Sequence, residues 1–216
     1  MTTPPHRSDS LQTQAALIAA AERGFAERGV DGAVLAEINR DAGQRNKYAI
    51  HYHFGGRDGL LKAVLSKHRV AIDAVRAEMM RDVSSIGDLT LHDAVSLMVL
   101  PLSASALDHE HGGAYYVRIM AQLSATPLHP VHAWIAAEAP PAYSRIAPIL
   151  YQSIPADAPV FVQSRRAHLM NGVLFHALNL QTYDLAEGVA DRHRLYCNDL
   201  IDSLCGLLSA PVTLDD

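Results

Sequence analysis

The sequence of 216 residues has only two cysteines, one tryptophan and no long uninterrupted hydrophobic run. A membrane-spanning helix needs roughly 18 or more apolar residues in succession. Here His, Asp, Arg or Gln interrupts every apolar stretch. The polar start MTTPPHRSDS also lacks the hydrophobic segment of a secretory signal. We therefore expect a cytoplasmic protein that has no membrane partner.

The sequence also lacks the common signatures of catalysis and of nucleotide or metal binding. GxSxG, GxGxxG, GxxxxGK[ST], HExxH, paired CxxC and DxDxDG are all absent, so nothing marks a nucleophile, a phosphate loop or a metal site. The segment His109-Glu110-His111 and the pair His129 and His132 would supply nitrogen ligands to zinc only if the fold joined them. We predict no catalytic residue, no metal site and no cofactor.

Apolar residues recur every three or four positions along the chain, which is typical of amphipathic helices. The alternation that is typical of strands is nowhere sustained, so we predict an all-α fold. Glycine and proline pairs separate the periodic segments. The expected helices lie near residues 11–28, 33–41, 47–53, 57–83, 90–107, 113–125, 130–139, 141–153, 158–183 and 189–208.

Positive charge is concentrated near the N-terminus of a chain whose net charge is −5. Residues 1–80 carry 11 Lys and Arg against 9 Asp and Glu, whereas residues 81–216 carry 7 against 14. Between residues 44 and 69, six basic side chains accompany a single acid, Asp58. Because local charge steers association, this segment is expected to meet an anionic partner.

The first three expected helices have the outline of a helix-turn-helix, with a turn at Ala42-Gly43. In that motif the last helix enters the major groove of DNA and places residues near its N-terminus against bases and phosphates. Asn46 is the expected N-cap of this helix, and Lys62 on the next helix is expected to reach the flanking phosphates. The predicted DNA-binding residues are Gln44, Arg45, Asn46, Lys47, Tyr48, His51, Tyr52 and Lys62.

The segment from Ala16 to Leu65 resembles the DNA-binding domain of the tetracycline-repressor (TetR) family of bacterial transcription regulators. The resemblance rests on FAERGVDGAVLAEINRDAG at 25–43, YHF at 52–54 and GGRDGLLKAVL at 55–65. Two features depart from the commonest family pattern. Gln44-Arg45 lengthens the turn by one residue, and Tyr48-Ala49 stands where many members have Gly-Thr.

The resemblance implies a homodimer that binds a palindromic operator and responds to a small-molecule effector. Expected partners are thus double-stranded DNA at the nucleoid, a second copy of the chain and a small apolar or aromatic effector, and the expected mode is repression. We predict a flexible arm at 1–10, a helix-turn-helix domain at 11–56, a connecting helix at 57–83 and a ligand-binding and dimerisation domain at 84–216.

The C-terminal half contains two further sets of predicted site residues. Apolar side chains mixed with a few polar groups predict the effector pocket, and Met79 at the end of the connecting helix is expected to transmit binding. The last two expected helices are apolar on more than one side, which favours pairing with a second copy over burial within one chain. The predicted pocket residues are Met79, Leu97, Met98, Leu102, Tyr115, Arg118, Ile119, Gln122, Trp134 and Tyr143. The predicted interface residues are Phe161, Arg165, His168, Leu169, Gly172, Phe175, Leu200 and Leu204.

Two other functions remain compatible with an all-α chain. An enzyme acting on a small molecule would need a nucleophile with its base or a cofactor signature, and the sequence has neither. A helical interaction module without DNA binding fits the periodicity but leaves the cations near residue 45 without a role. A DNA-binding regulator is the hypothesis that accounts for the basic segment, the turn and the helical pattern together.

Overall fold

The computed structural model describes residues 7–184 and 190–213. Within these ranges the chain is helical and has no strand, so the predicted all-α fold is confirmed. A short 3-10 turn at Ile86–Asp88 separates the fourth and fifth helices. The helices are α1 (Arg7–Arg28), α2 (Leu35–Asp41), α3 (Ala49–Phe54), α4 (Arg57–Met79), α5 (Leu91–Leu107), α6 (Gly113–Ser124), α7 (Val131–Ala137), α8 (Pro141–Gln152), α9 (Val160–Asp184) and α10 (Ala190–Ser209).

Two helix ends differ most from the sequence prediction. The predicted arm is helical from Arg7 onward, with Asp9 in the first turn, where negative charge favours helix initiation. The remainder of that arm, residues 1–6, lies outside the described residues. At the other end, α4 stops at Met79, because the amides of Arg81 and Val83 bond to carbonyls three residues back and close tight turns.

The N-terminal helices pack around one continuous core. Phe25 of α1, Ile38 of α2 and Ile50 of α3 are almost fully buried, and Leu61 of α4 joins them. The Arg57 guanidinium donates hydrogen bonds of 2.6 Å to the carbonyl oxygens of both Val30 and Ala33. These bonds fix the connection between α1 and α2 to the start of α4.

Helix α4 belongs to both halves of the molecule. It packs against α1 and α3 and also against α5, α6 and α8. Its buried residues run along most of its length, from Leu60 to Arg76. A displacement of α4 therefore changes its packing against both the N-terminal helices and the C-terminal domain.

The C-terminal domain is a helical bundle centred on α5. This helix begins with a capping box, in which Thr90 Oγ1 accepts the Asp93 amide hydrogen and the Asp93 carboxylate accepts the Thr90 amide hydrogen. Helix α5 contacts α4, α6, α8, α9 and α10, while α9 packs mainly on α6 and α10. The bundle leaves one side of α9 uncovered.

Candidate DNA-binding surface and ligand cavity

Helix α3 begins at Ala49, two residues later than the sequence predicts, so the assignment of Asn46 as its N-cap is wrong. Tyr48 occupies the N-cap position. The Asn46 side chain instead accepts the Tyr48 amide hydrogen at 3.0 Å, which closes a turn of its own before the helix. Asn39 of α2 donates to the Lys47 carbonyl oxygen at 2.9 Å and anchors that turn.

The turn and α3 together present a polar surface. Ala49 and Ile50 point into the core, and Tyr48 and Tyr52 are 61% and 77% exposed. The Lys47 ammonium lies 5.1 Å from the centre of the Tyr48 ring. The predicted DNA-binding residues that are exposed on this surface are Arg45, Asn46, Lys47, Tyr48, His51 and Tyr52.

The other two predicted DNA-binding residues are less accessible. Gln44 is half-buried and its amide donates to the Ala42 carbonyl oxygen at 3.2 Å. Lys62 is half-buried too, and its ammonium lies 6.0 Å from the centre of the Trp134 ring on α7. Lys62 therefore contacts the C-terminal domain, whereas Lys47 extends into solvent.

A cavity of about 370 Å³ lies among α4, α5, α6, α7, α8 and α9. None of the described residues that line it is acidic. Its apolar lining consists of Ile72, Met98, Leu102, Met120, Ile135, Ala136, Ala139, Pro140, Ala147 and Phe175. Its polar lining consists of Arg69, Arg76, Tyr116, Ser124, His132, Tyr143, Tyr151, His168 and Asn171.

Three predicted pocket residues, Met98, Leu102 and Tyr143, line this cavity, and the others lie elsewhere. Met79 is 40% exposed at the end of α4, and Leu97 and Ile119 belong to the core. Sequence periodicity missed the polar lining on α4, although Arg69, Ile72 and Arg76 share one helical face. Four other predicted residues also lie outside the lining. Tyr115 is partly buried against the core, and the Arg118 guanidinium stacks on the Tyr183 ring. The Gln122 amide donates to the Ala26 carbonyl oxygen, and the Trp134 ring lies between Lys62 and Arg69.

Asp73, which forms a buried ion pair with Arg76 within α4, fixes α8 to that helix beside the cavity. Arg76 Nη1 donates to Asp73 Oδ1 at 2.7 Å, and Arg76 Nε donates to the Leu97 carbonyl oxygen at 2.9 Å. The Asp73 carboxylate also accepts the amide hydrogens of Ala142 and Tyr143, each at 2.9 Å. Asp73 thus caps the N-terminus of α8, where negative charge is favourable.

Arg69 lies on the cavity wall without a carboxylate partner among the described residues. Its Nη2 donates to the carbonyl oxygens of Ile135 and Glu138 at 2.8 and 2.9 Å, and the guanidinium carbon lies 5.0 Å from the centre of the Trp134 ring. Burial lowers the pKa of the Arg69 guanidinium, an effect that nearby Tyr116 and Glu138 oppose. The group remains protonated at neutral pH because arginine loses its proton only at very high pH.

Tyr116 joins the cavity to the N-terminal helices. Burial raises the pKa of its phenol to about 12, so the hydroxyl keeps its proton. Its ring stacks on His68, with centroids 4.9 Å apart. His68 Nε2 donates to Glu22 Oε1 of α1 at 2.8 Å, and Lys67 Nζ donates to the same oxygen at 2.8 Å. A continuous set of contacts therefore runs from the cavity to α1.

The histidines that the sequence suggested as zinc ligands make local bonds. His111 Nδ1 lies 2.8 Å from the Asp108 carboxylate. His132 Nε2 donates to the carbonyl oxygens of Leu123 and Thr126, and His129 Nδ1 accepts the amide hydrogen of Val131. Over the described ranges, no cluster of three or more His, Cys, Asp or Glu is placed to hold a metal ion.

The predicted interface residues divide into two groups. Phe161, Arg165, His168 and Leu169 are exposed on α9, and a Cβ added at Gly172 would meet nothing within 4 Å. By contrast, Phe175, Leu200 and Leu204 are buried within the chain itself, which corrects their assignment to a surface between copies. Phe175 lines the cavity, and Leu200 and Leu204 belong to the core.

Residues 17–64 match the family of bacterial regulatory proteins named tetR. This match spans α1 from Leu17 to α4, including the turn and α3. These residues form a TetR-family DNA-binding domain. No curated protein sequence matches it significantly.

Two solved structures are similar to the chain over most of its length. A structure described as a TetR-family transcriptional regulator from Rhodococcus sp. is 16% identical, has a TM-score of 0.50 and covers 92% of this chain and all of its own. A TetR-family transcriptional regulator from Pectobacterium atrosepticum is 19% identical, has a TM-score of 0.43 and covers 96% of this chain and all of its own.

The match to the tetR family assigns a general role to the N-terminal surface. The protein is a DNA-binding transcriptional regulator whose helix-turn-helix consists of α2, the turn and α3. The matched family is one of bacterial regulatory proteins. In the part of the chain that the structure describes, no helix has the length and apolar character needed to cross a membrane.

Proposed function

We propose that this TetR-family protein is a repressor that binds a palindromic operator as a homodimer and leaves it when a small effector fills the cavity. One observation carries the proposal: α4 lines the cavity through Arg69, Ile72 and Arg76 and also packs against α1 and α3. An effector that prefers one position of α4 therefore biases the position of the helix-turn-helix. The middle of α4, rather than Met79 at its end, is the part that meets the effector.

The geometry of DNA explains how a small movement of α4 would act. Two recognition helices related by a twofold axis must meet successive major grooves about 34–36 Å apart. A change of a few ångströms in that separation removes contacts at one half-site. Arg45 and Lys47 are exposed, and we expect them to contact phosphates or bases, with the partly covered Lys62 as a secondary candidate.

The test of DNA binding is a titration of the wild-type protein into labelled DNA from upstream of its own gene, followed by fluorescence anisotropy. We expect binding at low salt. Lys47→Ala should flatten the dependence of log affinity on log salt by about one unit per monomer, since each lost phosphate contact releases one counterion fewer.

The matched control is Arg145→Ala, which removes an exposed arginine from α8, away from the helix-turn-helix. Its salt dependence should equal that of the wild type. Failure of the wild-type protein to bind any upstream fragment at low salt would contradict the proposed function. An unchanged slope in Lys47→Ala would instead mean that Lys47 does not contact the DNA backbone.

The uncovered face of α9 supports the homodimer. Phe161, Leu169, Val173 and Leu180 recur at spacings of eight, four and seven residues, which places them along one side of the helix. Their exposed fractions range from 40% to 65% within a single chain. Gly172 lies between two of them and has open space where a side chain would project, which permits close approach of a second helix. A second copy would bury this apolar face.

Leu169→Asp is expected to separate the dimer into monomers. It would place one carboxylate from each chain in an apolar interface at a cost of several kcal/mol per charge, and should raise the dimer dissociation constant about a thousandfold or more. Sedimentation equilibrium measures this change. The control is Leu128→Asp, because Leu128 is 95% exposed between α6 and α7. A dimer that tolerates Leu169→Asp as well as Leu128→Asp would place the interface elsewhere.

A further inference from the structure

We infer that the effector is a small organic acid, with an apolar body that fills the cavity and a single carboxylate that binds Arg69. This inference rests on the proposed function, because it takes the cavity as the effector site. It adds a single carboxylate to the small apolar or aromatic effector that the sequence predicts. The reasons lie in the charge, the available hydrogen-bond donors and the size of the cavity.

The cavity wall carries an unbalanced positive charge. Residues 81–216 contain 14 acidic against 7 basic residues, yet no described residue that lines the cavity is acidic. Two arginines line it, and Arg76 is ion-paired with the buried Asp73. Glu138 and Asp73 lie near enough to Arg69 to affect its pKa, but among the described residues Arg69 has no ion-pair partner and bonds only to backbone carbonyl oxygens. A ligand carboxylate would give this half-buried guanidinium the paired anion that it lacks.

The Arg69 guanidinium also has hydrogen-bond donors without a partner among the described residues. Its two carbonyl contacts use Nη2 alone, and they fix the position of the group. Nη1 and Nε have no hydrogen-bond partner among the described residues, and neither is sealed from solvent. By comparison, Arg118 Nε is both unpaired and sealed. Arg69 can therefore form charge-assisted hydrogen bonds with an incoming anion, which are the strongest kind.

Two phenols lie near the same charge. Tyr116 and Tyr143 line the cavity and are close enough to Arg69 to affect its pKa. Burial raises the pKa of both phenols, so both hydroxyl groups keep their protons at neutral pH. Neither hydroxyl group has a hydrogen-bond partner among the described residues. A carboxylate accepts hydrogen bonds from phenol and guanidinium groups alike.

The rest of the wall limits the size and the charge of the ligand. Ile72, Met98, Leu102, Met120 and Phe175 form an apolar surface that suits an aromatic ring or a hydrocarbon chain. The volume of about 370 Å³ is near the lower end of small-molecule sites. One arginine without an ion-pair partner among the described residues matches a monovalent carboxylate better than a phosphate, whose charge at neutral pH is about −1.5 to −2.

The chain contains its own reporter for this site. Trp134 is the only tryptophan in the sequence, and the centre of its ring lies 5.0 Å from the Arg69 guanidinium carbon. Intrinsic fluorescence therefore reports on this wall of the cavity. The probes are three acids, each paired with its primary amide of nearly equal shape: phenylacetate with phenylacetamide, cinnamate with cinnamamide, and octanoate with octanamide.

In the wild-type protein we expect at least one of the acids to change the Trp134 emission and to bind about 10- to 100-fold more tightly than its amide. Arg69→Met should abolish this preference, and Arg69→Lys should keep part of it. The control Arg145→Met removes an exposed arginine that does not line the cavity and should leave the preference unchanged. Circular dichroism and thermal melting of each variant check that it folds.

Two outcomes would overturn the inference: amides that bind as tightly as their acids, or no response of Trp134 to any of the probes. Both readings come from the wild-type protein, so they do not depend on the folding of a variant. DNA binding is measured without any of these probes and decides the proposed function separately. A protein that binds operator DNA and is released by the amides would keep the proposed function and lose the acidic effector.

Discussion

Replacing Asp73 with alanine is expected to lower the free energy of unfolding by about 3–5 kcal/mol, the usual cost of removing one partner from a buried ion pair. The Arg76 guanidinium would stay buried without a countercharge, since its other bond is to the Leu97 carbonyl oxygen. The amides of Ala142 and Tyr143 at the start of α8 would also lose their acceptor. Urea denaturation followed by circular dichroism measures the loss.

Two further variants make the Asp73 result specific. Asp82→Ala removes an exposed carboxylate just after α4 and should change stability by less than about 0.5 kcal/mol. Asp73→Asn keeps one oxygen acceptor for the backbone of α8 but removes the charge, so it should fall between the two. A decrease in the free energy of unfolding of less than about 1 kcal/mol in Asp73→Ala would contradict the assigned role of the carboxylate, because a buried arginine without a countercharge destabilises the fold by more than that.

The sequence predicts the N-terminal half well because its signals are local. Gly29 ends α1 with a φ of 87°, a conformation that glycine adopts without strain. The start of α3 is the exception. Asn46 has the chemistry of an N-cap, but the bond from Asn39 to the Lys47 carbonyl oxygen holds the chain in a separate turn first. That bond joins residues eight positions apart in the chain. The residue preferences that predict helix caps do not predict such a bond.

The cavity is formed by contacts between helices that sequence periodicity does not predict. Arg69, Ile72 and Arg76 share a face of α4, and two arginines within an apolar stripe are a signal that the sequence does offer. Which helices face that stripe is decided by packing among α5 to α9, far along the chain. The sequence also misassigns the apolar side of α10, because Leu200 and Leu204 pack into the bundle of their own chain. Hydrophobic spacing cannot distinguish that side from a dimer interface.

Glu22 links α1 to His68, which stacks on Tyr116 in the cavity lining, and its removal should have a large effect. Its carboxylate is buried and accepts hydrogen bonds from Lys67 and His68 on α4. Lys67 also donates to the carbonyl oxygen of His111 at 2.9 Å. The next residue, Gly112, has a φ of 82°, and a Cβ there would lie 2.7 Å from Glu22 Oε2, so only glycine lets the loop pack this closely.

Glu22→Ala should lower the free energy of unfolding by about 2–3 kcal/mol, less than Asp73→Ala, because Lys67 is partly exposed and can regain water. The control is Glu27→Ala, which removes an exposed carboxylate one and a half turns later on the same helix. Urea denaturation measures both changes. Equal stability of the two variants would mean that the contacts of Glu22 contribute nothing beyond those of an exposed acid.

The same substitution should also weaken the coupling between effector binding and DNA binding, because Glu22 connects α1 to His68 and, through the ring stack, to Tyr116 in the cavity lining. The measurement is the ratio of operator affinities without and with a saturating amount of the tightest-binding acid. In the wild type this ratio should fall in the range of about 5- to 150-fold that is typical of allosteric coupling. In Glu22→Ala it should fall below the wild-type value, while the acid still changes Trp134 emission with nearly wild-type affinity. A variant that keeps the full ratio would show that α4 transmits the signal through its packing on α1 and α3 alone, without the buried Glu22 pair.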